Sequence, residues 1–583
     1  MNMRLQKALL TGLALLMGIC LMAQEMPRLS KTRDGRTQLL VDGKPFIALS
    51  GELHNSTTGS VEYMADVWKR MADLHLNTVI APVTWELLEP AEGQFDYTII
   101  DNMISGARKE NLKLVVLWFG SWKNGESTYT PAWVKKDTKR FPRTKLKGGS
   151  ETITLSTLGT ETAKADANAF AHLMRHIKEV DCDHTVIMMQ IENEIGTVNM
   201  RATFQGLPND AMRDFNELAN KAYSSEVPQQ LISYLKAHKK TLHPAILEAW
   251  NTNGNKEKGT WEEVFGVGRL VNGDDWHTSY NYLTEEIFNA WNYATFVEQV
   301  TKAGKAELAL PMYVNAWMKA PAQTQPGIYP SGGPEAHLID IWRAGAPSID
   351  FIAPDIYAVQ IFDTILEDYT KSGNPLFIPE TTSNIDGASR AFYTIGKYGA
   401  LCYAPFGIDG GGLTDAPTYD PWFYGEAYQM LEALMPYLTE YVGTDKCSGL
   451  YLTTGRDTDS VEMGGYQITM RRFSTEAAEA MFGAGTNSAS AVNMETSGAL
   501  IIQVGEGDFI VAGGLGGASI SFGKGSKSKA QAAAFLSVDE LRFDANGKLY
   551  AHRINGDEVA YAGVGGSIPV GKVGAFRVKM YEY

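Results

Sequence analysis

From about Phe46 to Leu438, short apolar runs alternate with amphipathic stretches. "FIALSG" (46–51) precedes a helical pattern in "SVEYMADVWKRMADLHL", and "NTVIAPVTW" (77–85) follows. "YTIIDNMISGARKENL" again has helical spacing and leads into "KLVVLWFG" (113–120). "ADANAFAHLMRHIKEV" (165–180) feeds "HTVIMMQIENE". Then come "LPMYVNAW" (310–317), "IDFIAPDIY" (349–357), "PLFIPETTSN" (375–384) and "ALCYAPFGI" (400–408). The runs are near-continuous rather than alternating, as in strands buried on both faces. Strands separated by helices build a parallel sheet. Eight such runs predict a (β/α)8 barrel, an α/β fold whose functional residues sit at the C-terminal ends of its strands.

Two segments depart from this rhythm. The stretch from about 196 to 276 is too long for an ordinary strand–helix connection, so it predicts an insertion with helices of its own over one side of the barrel mouth. After about Thr444, "GYQITMRRF", "GALIIQVGEGDFIVAGG", "SISFG", "LYAHRI" and "AFRVKMYEY" alternate between Gly, Asn and Asp turns. That pattern predicts an all-β sandwich over 444–583. "GGLGGAS" (513–519) lies among these strands without a following helix or a Gly-Lys-Ser/Thr ending, so a phosphate loop is not expected.

The first residues do not follow the fold pattern. Arg4 and Lys7 precede an apolar run that ends at the small residue Ala23. This predicts a secretory signal over 1–23, a barrel domain over 24–443 and a location outside the cytoplasm, in a periplasm. Lipidation of Cys20 is the weaker alternative, because Ile19 is too bulky for the preceding position. No later run is long enough to span a membrane as a helix.

The formal net charge of −15 argues against nucleic acid and against an anionic membrane surface as partners. Cys182, Cys402 and Cys447 show no paired spacing, so no zinc or redox motif is expected. His172 and His176 have a metal-ligand spacing, but on a helix outside the barrel with no carboxylate between them. No metal or cofactor is expected. The chain also lacks a G-x-S-x-G elbow, which argues against a serine esterase.

The chemistry points to carboxylates. "VIMMQIENEIG" (186–196) ends a buried strand with Glu192, Asn193 and Glu194, and "PLFIPETTSN" places Glu380 directly after another. Glycoside hydrolysis needs two carboxyl groups flanking the scissile bond. Glu194 on the fourth strand and Glu380 on the seventh would face each other across the mouth. Glu52, Glu86 and Asp355 also follow apolar runs. Alternation puts Glu192 and Glu194 on one side of their strand and Asn193 on the other, unless the strand end twists. Glu192 then has either a structural or a sugar-binding role.

"NTVIAPVTWELLEPAEGQFDY" and "QIENEIG" resemble the second- and fourth-strand motifs of glycoside hydrolase family 35, over roughly residues 40 to 430. The resemblance implies that Glu194 is the acid/base, Glu380 the nucleophile, Asn193 a ligand of the sugar 2-hydroxyl and Tyr357 a hydrogen-bond donor to Glu380. Trp122 and Trp317 are candidate sugar platforms; Asn124, Glu126 and Glu86 are candidate polar contacts. "ETTSN" departs from the tryptophan-bearing stretch that follows the nucleophile in many members. The C-terminal part resembles the accessory domain of a bacterial subgroup that includes β-galactosidases. The resemblance therefore implies a retaining, exo-acting β-galactosidase acting on a carbohydrate substrate. An endo-acting β-glycanase, another β-glycosidase and a non-catalytic carbohydrate-binding barrel remain the alternatives.

Overall fold

The computed structural model describes residues 25–205, 209–268, 275–321, 323–410, 420–472, 496–554 and 566–583. The expected signal segment, with Cys20, lies outside them. No helix among the described residues is long and apolar enough to cross a membrane.

Eight parallel strands form the predicted barrel. In chain order they are Ala48–Glu52, Thr78–Thr84, Lys113–Lys123, Val186–Asn193, Met312–Trp317, Phe351–Ile356, Glu380–Thr381 and Cys402–Tyr403, called here the first to eighth strands. Each pairs with its neighbour in sequence, and the eighth returns to the first through Cys402–Ala48. A parallel bridge between Ile378 and Tyr403 joins the seventh to the eighth and closes the cylinder. Inward side chains such as Ile80, Val115, Leu117, Met188, Tyr313 and Phe351 fill the interior. That packed floor denies water to the barrel axis, so polar strand residues collect at the C-terminal rim. A meander of Arg28–Lys31, Thr37–Val41 and Lys44–Phe46 lies at the opposite end, where buried Leu39 and Val41 join the interior core.

The insertion carries helices, as expected, but most of them thicken the outer layer rather than wall the mouth. Tyr223 and Trp261 pack edge-on against Phe288 of the long helix Leu283–Glu307. Tyr234 donates to Asp340, and Gln230 to the Ala344 carbonyl, on the helix Ile339–Gly345. The helix Met200–Gln205 instead stands beside Trp317 at the rim.

The C-terminal region is the expected all-β unit, with its strands hydrogen-bonded into one eight-stranded antiparallel network. Two 17-residue strands, Asp508–Lys524 and Gly566–Glu582, run through it. Their register shifts between Gly514 and Gly516, where non-glycine Leu515 has φ 78°. Irregularities of this kind bend a long strand, so that distant parts of one sheet enclose a common core. "GGLGGAS" lies within this strand. Cys402 and Cys447 are buried thiols, and no disulfide links the described cysteines. His172 stacks on Phe95 and His176 on Tyr97, so the i, i+4 pair is used in ring packing.

The helix Ile385–Tyr398 joins barrel to β-unit. Ser389 donates its hydroxyl to the Gly514 carbonyl and accepts from the Gly498 N–H. Arg456 pairs with Asp363 across the same boundary. Gly396 and Gly498 let the helix lie directly on the sheet, where a Cβ at Gly396 would press on the Ser448 carbonyl. Gly396→Val should therefore cost about 1–3 kcal/mol in chemical denaturation, the range for overpacking a tight contact. Gly523→Ala, with open space around its Cβ, should change stability by less than about 0.5 kcal/mol.

Candidate active site

The fourth strand does not end as plain alternation requires. Glu192 has φ 59° and Glu194 φ 45°, both in the left-handed region. Such conformations cost non-glycine residues about 1–2 kcal/mol each and survive only where surrounding contacts hold them. Their effect is to separate the two glutamates. Glu192 turns outward and accepts from the N–H groups of Ser121 and Trp122, at 3.1 and 2.8 Å. Its carboxyl is pushed well above the usual range by burial and then by the charge of Asp166. Asp166, in turn, accepts from Trp118 and Ser121. Glu192 is thus a structural brace for the end of the third strand.

That brace has a consequence one residue further on. The register between the third and fourth strands slips between Trp118 and Lys123, so Lys123 pairs with Asn193. The Lys123 ammonium then donates to Asn193 Oδ1 at 2.6 Å. With its oxygen so occupied, the Asn193 amide turns Nδ2 toward Glu380 Oε1, at 3.1 Å. Tyr357 donates to Glu380 Oε2 at 2.7 Å, and Asn315 Nδ2 reaches Oε1 at 3.4 Å. Asn315 also donates to Asp355 at 2.7 Å, while its Oδ1 accepts the Glu194 N–H at 3.0 Å. One oxygen from each of Glu194, Asp355 and Glu380 lies within 4.8 Å of the others.

These acids are buried together with Glu52. Burial first, and the charge of Glu380 second, push the Glu194 carboxyl up to about 8. The same two causes carry Glu52 and Asp355 well above the usual range. Burial alone would lower the Lys123 ammonium, but Glu380, Glu194, Glu52 and Asp355 together hold it above its ordinary value. The Lys123 ammonium is thus the positive charge that these four acids feel in common. Both Glu52 oxygens, Asp355 Oδ1, Thr84 Oγ1 and Asn124 Oδ1 are buried without a hydrogen-bond partner. Unused polar atoms at strand ends suit a ligand rich in hydroxyl groups.

The structure brings together Glu194, Glu380, Asn193 and Tyr357. Trp317 follows Asn315 by two residues, on the same side of the fifth strand and one layer further out. Asn124, in a left-handed turn at φ 52°, binds the Asn193 carbonyl through its N–H. Glu126 is half-buried at the edge of that turn, and burial raises its carboxyl. Glu86 is paired with Lys135 at 2.9 Å and braces its loop. Trp122 corrects a sequence expectation: 1% exposed, it packs against Tyr293 and Phe296 in the helix-facing layer. It continues the alternation of Leu114, Val116 and Trp118, all in the helix-facing core, so it offers no open face to a sugar. Sequence reasoning missed Lys123 and Asn315. A lysine closing an eleven-residue apolar strand was the available signal for the first.

Residues 38–319 match the family model "Glycosyl hydrolases family 35", and residues 424–563 match "Domain of unknown function (DUF5597)". A curated relative, a β-galactosidase from Xanthomonas manihotis, is 42% identical over 62 residues, 11% of this chain and 10% of that protein. A solved β-galactosidase from Bacillus circulans sp. alkalophilus aligns at 16% identity and TM-score 0.43, covering 67% of this chain and 56% of its own. One from Marinomonas ef1 aligns at 12% identity and TM-score 0.43, covering 66% and 60%. The chain thus spans about a tenth of the curated relative it matches and just over half of the first solved one.

The site makes a prediction that needs no substrate. Followed by ¹³C NMR of labelled carboxyl groups, Glu194 should titrate near 8. Glu380→Gln should lower that value by removing a neighbouring negative charge. Lys123→Met should raise it, because the ammonium favours the ionised form. A normal titration near 4.5 would contradict the described burial of this group.

Proposed function

We propose, on the premise that residues 38–319 belong to glycosyl hydrolases family 35, that this protein is a retaining, exo-acting β-galactosidase. It would release terminal β-galactosyl units from plant-polysaccharide side chains or oligosaccharides. The observation that carries this reading is the approach of Glu194 and Glu380, one oxygen of each lying within 4.8 Å of the other. Retaining enzymes hold their carboxyl pair about 5–5.5 Å apart, whereas inverting enzymes leave room for a water at about 6.5–9.5 Å.

The residues suit two half-reactions. Glu380, fixed by donors on both oxygens, attacks the anomeric carbon as the bond to the leaving oxygen breaks. Glu194, kept protonated by its surroundings, gives its proton to that oxygen. The now anionic Glu194 then takes a proton from water. That water attacks the same carbon and releases Glu380, so each carboxyl ends as it began. Asn193 stands beside Glu380 with its amide nitrogen forward, in reach of a 2-hydroxyl whose hydrogen bond strengthens as the ring gains positive charge. Galactose as the sugar is supported by the β-galactosidase name of the curated relative. The charged, apolar start of the chain supports secretion to a periplasm.

On nitrophenyl glycosides, the β-galactoside should be the fastest substrate. Because Glu194 must carry its proton in the free enzyme, kcat/KM should fall as pH rises through about 8. Glu380→Gly should lower turnover by roughly four orders of magnitude, with azide restoring it as a glycosyl azide. Glu194→Ala should lose more on a natural disaccharide than on an activated aryl glycoside. Time-resolved NMR should show the β-anomer first; initial release of the α-anomer would overturn the retaining mechanism.

A further inference from the structure

Phe204 is 70% exposed, yet it is not on a loose surface. Its helix, Met200–Gln205, is tied to the rim: Thr203 donates to the Ile328 carbonyl at 2.6 Å, and the Asn199 N–H to the Gly327 carbonyl at 2.9 Å. The Phe204 ring lies 6.3 Å from the Trp317 ring, tilted by 37°. Trp317 is itself oriented by its indole N–H, donated to Gln323 at 3.1 Å. Two aromatic rings are therefore held at the rim, Trp317 at the end of the fifth strand and Phe204 on the connection that follows the fourth.

Their position relative to the acid gives them a use. Glu194 ends the fourth strand, and Asn315 of the fifth binds its backbone. A glycosidic oxygen must lie against the Glu194 carboxyl to receive a proton. The sugar being transferred lies toward Glu380 and Tyr357, so the leaving group extends past Glu194, outward along the fourth and fifth strands. Trp317 lies on the fifth strand two residues beyond Asn315, and Phe204 lies against it. We infer that they form a platform for the leaving group, and that its occupant is the pyranose ring of a β-linked oligosaccharide. An aromatic face packs on the C–H surface of a pyranose, and Gln323 brings an amide for its hydroxyls. The inference rests on the glycosidase reading and deepens it, by assigning Phe204 and Trp317 as the residues that favour a sugar over an alkyl leaving group.

The test compares kcat/KM of wild type, Phe204→Ala and Phe204→Tyr on β-galactosyl fluoride, a β-galactosyl disaccharide and an octyl β-galactoside. The fluoride has no leaving group large enough to touch the platform. Phe204→Ala should lose about tenfold on the disaccharide, mainly in KM, and clearly less on the fluoride. Phe204→Tyr should recover most of the loss. Equal losses on fluoride and disaccharide would mean a general structural role, and no loss on either would mean no platform; both overturn the inference. A larger loss on the octyl glycoside than on the disaccharide overturns the sugar assignment. Wild-type protein that cleaves none of the three removes the glycosidase reading and the platform with it, whereas wild-type cleavage with any of the contrary patterns removes the platform alone.

Discussion

Four acids, Glu52, Glu194, Asp355 and Glu380, share the buried end of one barrel, and a single ammonium group makes that arrangement tolerable. Two like charges about 4 Å apart repel by roughly 4 kcal/mol at the effective dielectric of a protein site. Several together cannot all ionise without a counter-charge. Lys123 supplies it, and does so while bonded to Asn193. The remaining excess of negative charge is relieved by protonation, which Glu194, Glu52 and Asp355 each show as a raised carboxyl. The raised Glu194 carboxyl is thus a by-product of burial and crowding. This is the general route by which one fold obtains an acid and a nucleophile from identical side chains.

The position of Lys123 is not local to its own strand. It depends on Glu192, whose two oxygens gather the N–H groups of Ser121 and Trp122 and so hold the slipped end of the third strand. Glu192 in turn depends on Asp166, from a helix outside the barrel. The chain of dependence runs from an outer helix through the barrel wall to the ammonium, then through Asn193 to Glu380. Strained backbone at Glu192 and Glu194 is the cost of pointing one glutamate outward as a brace and its neighbour-but-one inward as an acid. Strain of this size persists where many contacts hold one geometry, as they do here.

Around this centre the layers divide the work. Barrel and β-unit meet through a helix that lies flat on the sheet because Gly396 and Gly498 carry no side chain. The insertion spends most of its helices on the outside of the barrel. It reaches the rim through the short helix that carries Phe204, which packs beside Trp317.

The sequence alone determined the barrel, because eight two-face-buried strands require near-continuous apolar runs, and such runs are visible in any linear reading. It determined Glu194 and Glu380 as candidates, because polar residues at the ends of those runs can only lie at the rim. It also placed Asn193 and Tyr357 beside them, through a family resemblance. The tertiary structure decided what each side chain faces. Alternation paired Glu192 with Glu194, and left-handed backbone at both positions separated them. Trp122 read as a platform, and Tyr293 and Phe296, from a helix distant in sequence, enclose it in the helix-facing layer. Lys123 and Asn315 carried no motif; their roles exist only where strands distant in sequence converge. A pattern along one strand records which residues are buried. Charge balance and side-chain direction at a site depend on strands brought together from across the chain, and no single stretch records them.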